Sequence, residues 1–387
     1  MIRTSNKKKI GIVGTGFIAR GFIETLLFQP DVEISKVVTR RKINDLSNFP
    51  QKEKLTNSIG ELVDNSDIIV ELSGDIFHAA AVINEALRGG LPVVTMNSEF
   101  HITVGSYFKN KGLITEAVGD QPGCLAALKE NIEEMGFNAL VYGNIKKFLN
   151  INPSLEEMIF WSEKQGISLN QVVSFTDGTK LQIEAAFIAN GLNASIIQNG
   201  LVGPECENIE PVAFPMAEFA KVNNTSVSDF ILSNKQPKGV FIIAEDRLGQ
   251  AKKLKYYGMG EGPFYVFLRN YHLCHFEIIK TVRRIFESGK ILLDNGDSPQ
   301  ISVAAVAKCG IKKNSRIKKG IGSFLCRGVA VRKTEFPEHV PIGLLSDALV
   351  LRDIEAGEII NFDSVELKES FALNAWSEIN KNPVKIV

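Results

Sequence analysis

Asp177, Lys180 and Glu184 stand within eight residues of one another, in and just after Phe175-Thr176-Asp177-Gly178-Thr179-Lys180. An acid, an amine and a second acid one helical turn beyond the amine could deliver and recover a proton. Lys146 closes Gly143-Asn144-Ile145-Lys146, just past an apolar run, and is a second amine that could face a developing alkoxide. Exposed helix-surface lysine is the competing reading for both. Arg269 ends an apolar aromatic run before Asn270-Tyr271-His272, and Lys308 ends Val303 to Ala307; either could hold a phosphate or carboxylate. Asp120 and Gln121 sit in the polar turn Gly119-Asp120-Gln121-Pro122-Gly123, which opens a helix and is either anion-facing or only a turn with Asp120 near the cap. Glu116 and Asp120 could hold a divalent ion such as Mg or Mn together with Asp177, with the geometry left open. His272 and His275 read as core or hydrogen-bonding histidines for want of a third ligand, and Cys274 between them as a buried thiol.

An earlier motif says what such groups would work on. Gly14-Thr15-Gly16-Phe17-Ile18-Ala19 follows the apolar run 10–13 and opens a helix with apolar residues at Phe17, Ile18, Phe22 and Leu26. In this arrangement Gly14 makes the tight turn, Gly16 lets a pyrophosphate approach the backbone amides, and Ala19 lets helix and strand pack closely. At the end of the next strand, where an NAD site carries an acid for the ribose hydroxyl, stand Thr39, Arg40 and Arg41. An arginine fork suits a 2′-phosphate, so NADP(H) is expected over NAD(H). Ser73, Gly74 and Asn97 end the following strands on the same carboxyl edge, beside the nicotinamide ribose.

The elements that position these residues read as α/β. Strands at 10–13, 32–38, 68–72 and 93–96 alternate with helices, which predicts an N-terminal Rossmann doubly wound sheet over residues 1–147, with further strands at 114–117 and 139–142. Residues 148–300 read as a central α+β substrate domain, with helices at 155–165 and 180–190 and strands at 239–245 and 264–268. Residues 301–387 form short apolar runs broken by Gly and Pro, a small β-rich domain. Two segments there echo each other: Ala305 to Lys308 followed by Ile311 to Asn314, and Leu349 to Arg352 followed by Ile354 to Gly357.

Composition sets the outer bounds. The chain has 387 residues and 44 basic against 44 acidic side chains, so no overall field draws it to nucleic acid or membrane, and an anion site must be local. Five scattered cysteines without a Cys-x-x-Cys pair fit reduced, mostly buried thiols and a cytoplasmic location. Met1 to Lys9 is polar and basic rather than the start of a signal peptide, and no stretch is long enough to span a bilayer. An open sheet edge and a β-rich tail make a homo-oligomer the expected assembly.

Gly119 to Gly123, Gly143 to Lys146, Ser174 to Lys180, and Gly262-Pro263 through Arg269-Asn270-Tyr271-His272-Leu273 resemble, in that order, the homoserine-dehydrogenase-like oxidoreductases that carry a C-terminal SAF domain. The echoing segments are similar to SAF sequence. That family includes the 1-deoxy-D-xylulose 5-phosphate reductoisomerase-like enzymes, which make 2-C-methyl-D-erythritol 4-phosphate with NADPH and a divalent metal. The resemblance implies that Lys146, Lys180, Arg269 and Lys308 surround a small anionic, phosphorylated substrate. Asn270 stands where the family commonly has proline, and Lys147 where glycine is common. Three functions follow as expectations: an NADP(H)-dependent reductase or reductoisomerase on a phosphorylated sugar-like carbonyl; a homoserine-type dehydrogenase on an amino-acid semialdehyde, with Asp177 and Lys180 moving the proton; and a non-catalytic NADP(H)-binding scaffold.

Overall fold

The computed structural model describes residues 7–380, so most of the basic stretch Met1 to Lys9 lies outside the described residues. Six strands form the first sheet: β1 (Lys8–Val13), β2 (Val32–Val38), β3 (Leu55–Thr56), β4 (Ile68–Glu71), β5 (Val93–Thr95) and β6 (Ile114–Glu116). Their order is β3-β2-β1-β4-β5-β6 and every pairing is parallel. This is the doubly wound order, whose direction reverses between β1 and β4 and opens a crevice at their carboxyl ends. The strands read as nearly unbroken apolar runs because both faces are covered. Phe22 and Ile23 of helix Phe17–Leu26 pack on one face with Ile278 and Val282 of helix Ile278–Ser288. Ala79 and Ile83 of helix Ile76–Arg88 pack on the other with Leu373 and Trp376 of helix Phe371–Asn380.

The first sheet ends at Glu116, which corrects the expectation that it runs on through 139–142. That run belongs to β7 (Phe137–Lys146), which joins β8 (Val227–Leu232), β9 (Gly239–Asp246) and β10 (Phe264–Arg269) in the order β10-β9-β7-β8. β7 runs parallel to β8 and antiparallel to β9. A buried apolar run fits either sheet, and only the long ladder with β9 decides between them. Between this sheet and the C-terminal strands lies helix Thr179–Gly191, buried from Thr179 through Ala189. It has no face toward water, so its polar Thr179, Lys180, Gln182 and Glu184 are buried against polar partners rather than solvated.

The C-terminal part comprises β11 (Ile301–Ala307), β12 (Arg316–Lys319), β13 (Cys326–Arg332), β14 (Ser346–Val350) and β15 (Val365–Glu366). β11 pairs with β13, and β12-β14-β15 form a second small sheet. The two echoing segments meet: Ile311 and Ile354 exchange both backbone hydrogen bonds at 2.9 Å. The strands share a core with Ala185, Phe187 and Ala189 of the central helix. Expected spans therefore interlock, since helix Ile278–Ser288 and helix Phe371–Asn380 both return to the first sheet.

Candidate active site

The glycine turn has the features a dinucleotide requires. Gly14 adopts φ +111°, and a Cβ there would lie 2.9 Å from the Leu72 carbonyl oxygen, so only glycine lets β1 pass β4 this closely. Gly16 caps helix Phe17–Leu26 without a side-chain hydrogen bond, and a Cβ on it would meet nothing within 4 Å. The first amides of that helix are thus left for an anion, and the residues fit a pyrophosphate. Ala19 is fully buried, whereas Phe17 is exposed at the helix start with its ring edge-on to His275 at 5.8 Å, and Ile18 is half-buried.

At the end of β2 a cleft of about 410 Å³ is lined by Thr39, Arg40, Arg41, Lys42, Asn57 and His78, with no carboxylate in its wall. Thr39 is buried; its hydroxyl accepts from the Arg41 amide at 3.2 Å, and its carbonyl accepts from Asn57 Nδ2 at 2.6 Å. Arg40 is paired with Asp75 at 2.9 Å, which also caps the next helix through the His78 amide. The arginine-rich wall of this cleft fits an anionic group of a dinucleotide.

Glu71, overlooked in the sequence, organises the middle of the crevice. It is fully buried and accepts from the Ser73 amide at 2.7 Å, Thr95 Oγ1 at 2.9 Å and Asn97 Nδ2 at 3.2 Å. Burial pushes its carboxyl pKa up despite these donors. Asn97 also accepts from the Phe100 amide at 3.0 Å, so its amide is committed to shaping the loop. Gly74 turns the chain beside it at φ +63°.

Opposite this edge lies Lys180, nine-tenths buried. Its Nζ is 3.1 Å from Glu99, 3.5 Å from Asp120 and 3.9 Å from Glu184. Glu99 follows β5 and Asp120 follows β6, so the carboxyl edge of the dinucleotide sheet delivers two of the three acids. Burial alone would lower the Lys180 pKa; the acids overcome it and hold the amine well above its ordinary value. Glu184 is itself buried and receives Asn144 Nδ2 at 3.2 Å. Burial first, then the balance of Lys146 and Lys180 against Asp120 and Glu99, pushes its carboxyl up to about 7. Gln121, with its amide turned, donates to Glu184 at 3.2 Å and to Asp120. Lys146 ends β7 half-buried, in the field of Glu184 and His272.

Other expected partners are separated from this cluster. Asp177 pairs with Lys308 at 2.5 Å, and Lys308 also donates to the Ser323 carbonyl at 2.7 Å. Arg269 is paired with Glu277, its carbon centre 4.8 Å above the Tyr271 ring. The expected set Glu116, Asp120 and Asp177 is therefore not assembled, and among the described residues no group of three or more His, Cys, Asp or Glu could hold a metal ion. His272 and His275, read as core or hydrogen-bonding histidines, are half-buried, and both Nδ1 atoms are buried without a partner among the described residues. Of the five cysteines only Cys124 and Cys326 are buried; Cys206 and Cys274 are half-buried and Cys309 is exposed, and desolvation pushes the Cys274 thiol up to about 12, away from a nucleophile's range. Glu116 and His101, at 3.4 Å, form a further buried pair missed by the sequence; burial pushes the Glu116 carboxyl far up and His101 down to about 3. Among the described residues no helix is long and apolar enough to cross a membrane.

No curated protein matches the chain. Among solved structures it is similar to a hyperthermophilic archaeal homoserine dehydrogenase in complex with NADPH, at 16% identity over 74% of this chain and 99% of that chain, TM-score 0.46. It is also similar to a myo-inositol dehydrogenase from Corynebacterium glutamicum at 11% identity over 76% and 91%, TM-score 0.42. A UDP-N-acetylglucosamine 3-dehydrogenase from Acidithiobacillus ferrooxidans gives 10% identity over 74% and 91%, TM-score 0.40. Residues 14–103 match the family model described as homoserine dehydrogenase, NAD binding domain, and residues 119–278 that described as oxidoreductase DRL, catalytic domain. The chain is an oxidoreductase of the dehydrogenase type with a nucleotide-binding domain, which sets aside a non-catalytic scaffold.

Proposed function

We propose that this oxidoreductase uses NADP(H) to interconvert the carbonyl and hydroxyl forms of a small, polar, anionic substrate, with Lys180 meeting the reacting oxygen. The observation that carries this reading is a buried amine held by three carboxylates against the carboxyl edge of the dinucleotide sheet. Gly14, Gly16 and the first turn of helix Phe17–Leu26 would hold the pyrophosphate, and Arg40 and Arg41 the 2′-phosphate. When bound, the cofactor supplies or accepts the hydride. Lys180 stabilises negative charge on the oxygen and gives it a proton; Glu184, 3.9 Å away, returns a proton to the amine. A group with pKa near 7 is suited to either direction. Lys146, whose amine has no ion-pair partner among the described residues, helps to orient the substrate.

A homoserine-type dehydrogenase reaction is the second reading, favoured by the match of residues 14–103. In it, Asp120 and Glu184 would take the role expected of Asp177, which is bound to Lys308. A phosphorylated sugar-like substrate, rearrangement before reduction and an SAF-like C-terminal part are the finer form of the first reading. They are supported by the motif resemblance and by the meeting of the echoing segments at Ile311 and Ile354.

NADPH oxidation over a panel of sugar phosphates, unphosphorylated sugars and amino-acid semialdehydes tests both, with product analysis for rearranged carbon skeletons. Lys180→Met is expected to lower kcat about 100-fold or more while NADPH affinity is kept. Turnover of no carbonyl, or full kcat in Lys180→Met, overturns the proposal.

A further inference from the structure

The cations around the site can be sorted by what already neutralises them. Lys180 has three carboxylates, Arg269 has Glu277, and Lys308 has Asp177. Among the described residues Lys146 has no ion-pair partner but stands beside Glu184, whereas Arg327 is beside no free acid. Arg327 lies on β13 opposite Val306, half-buried, and among the described residues its side chain makes no hydrogen bond and no ion pair. Its neighbour Gly328 donates from its amide to Thr179 Oγ1 at 2.9 Å, which seats this edge of β13 on the first residue of the helix that carries Lys180.

Asp177, beside that helix start, is the negative charge Arg327 feels, but its carboxylate is already bound by Lys308. Asp177, Lys308 and Arg327 together leave one positive charge unmatched. A guanidinium partly withdrawn from water without an acceptor is costly, and a planar oxyanion satisfies it with two parallel hydrogen bonds.

We propose that Arg327 recognises the anionic group of the substrate, a carboxylate or phosphate, and so does the work that Arg269 and Lys308 cannot do while bound to their own acids. This rests on the carbonyl chemistry proposed for Lys180. The C-terminal strands then belong to the substrate site: β13 sets which anion is accepted, and the helix beside it supplies the amine.

The test titrates inorganic phosphate and, separately, acetate into the full chain saturated with NADP+, followed by calorimetry, for the wild type, Arg327→Met and Arg327→Lys. At least one oxyanion binds the wild type, about tenfold or more weaker in Arg327→Met and partly restored in Arg327→Lys. The tighter of the two probes assigns the class. In turnover, Arg327→Met raises KM for anionic carbonyl substrates about tenfold, with kcat and the KM for NADPH within about twofold of wild type. Thermal unfolding of each variant separates this from loss of the fold. Binding of neither oxyanion, or equal binding to wild type and Arg327→Met, overturns the assignment while leaving wild-type NADPH oxidation untouched. Oxyanion binding lost in Arg327→Met without any NADPH oxidation in the wild type sinks the carbonyl reading instead.

Discussion

Asp177 Oδ2 lies 2.5 Å from Lys308 Nζ, in a pair whose side chains are 0% and 4% exposed. It fastens the end of β11 to the entrance of the helix that carries Lys180. Removing one member strands a buried charge, so Lys308→Met is expected to lower unfolding stability by about 3–5 kcal/mol in denaturant titrations. The double variant Asp177→Asn with Lys308→Met should lose much less than the sum of the singles. A single-variant loss below about 1 kcal/mol would show that the pair is not a structural fastening.

Glu184 yields a pH prediction. With its carboxyl pushed up to about 7, raising pH through that value removes the proton needed for carbonyl reduction. The reductive kcat should fall there and the oxidative kcat rise. Glu184→Gln should flatten both limbs in a pH–rate profile, and an unchanged inflection in that variant would rule Glu184 out as their source.

Arg40→Ala with Arg41→Ala should raise the KM for NADPH about tenfold or more and leave that for NADH nearly unchanged, measured as initial rates with either cofactor. Equal effects on the two would place the 2′-phosphate elsewhere than the cleft at the end of β2.

Much of the first sheet was legible because a parallel strand buried on both faces advertises itself as an apolar run ending in a turn, as at Val13-Gly14 and Val38-Thr39. β3 was not, since two residues carry no period. The candidate cofactor residues follow the ends of β1, β2, β4 and β5, so each was legible as a turn after an apolar run. Lys180 was legible by type, but its acids come from Glu99, Asp120 and Glu184, two of them contributed by other elements. Asp177 is three residues from Lys180 in the chain yet bound to a residue 131 positions away, Lys308, and no local pattern reports such a pairing. Glu99 had a usable signal, an acid just past Asn97 on the carboxyl edge. Glu71 had the same one, ending an apolar strand with a carboxylate that the fold buries, whereas Glu116 was picked out by type but paired with the wrong partners.

Burial of Glu116 with neither oxygen hydrogen-bonded among the described residues should cost stability in a pH-dependent way. Its folded pKa is raised by burial above the ordinary 4.5, so the cost is absent below that pH, grows as pH rises, and is full above the folded pKa. Glu116→Gln should therefore gain thermal stability over wild type as pH rises from about 4.5, with little difference at lower pH. Melting curves across that range check it; a constant offset at every pH would refute it.

The covering of the first sheet by helix Ile278–Ser288 on one face and helix Phe371–Asn380 on the other has a consequence for synthesis. Strands β1 to β6 leave the ribosome before either covering helix, so the parts of their faces that Ile278, Val282, Leu373 and Trp376 cover stay wet until Trp376 has followed. The dinucleotide-binding sheet is therefore made before the helices that complete its cover. A nascent chain stalled before residue 371 would carry its glycine turn on an unfinished and adhesive scaffold.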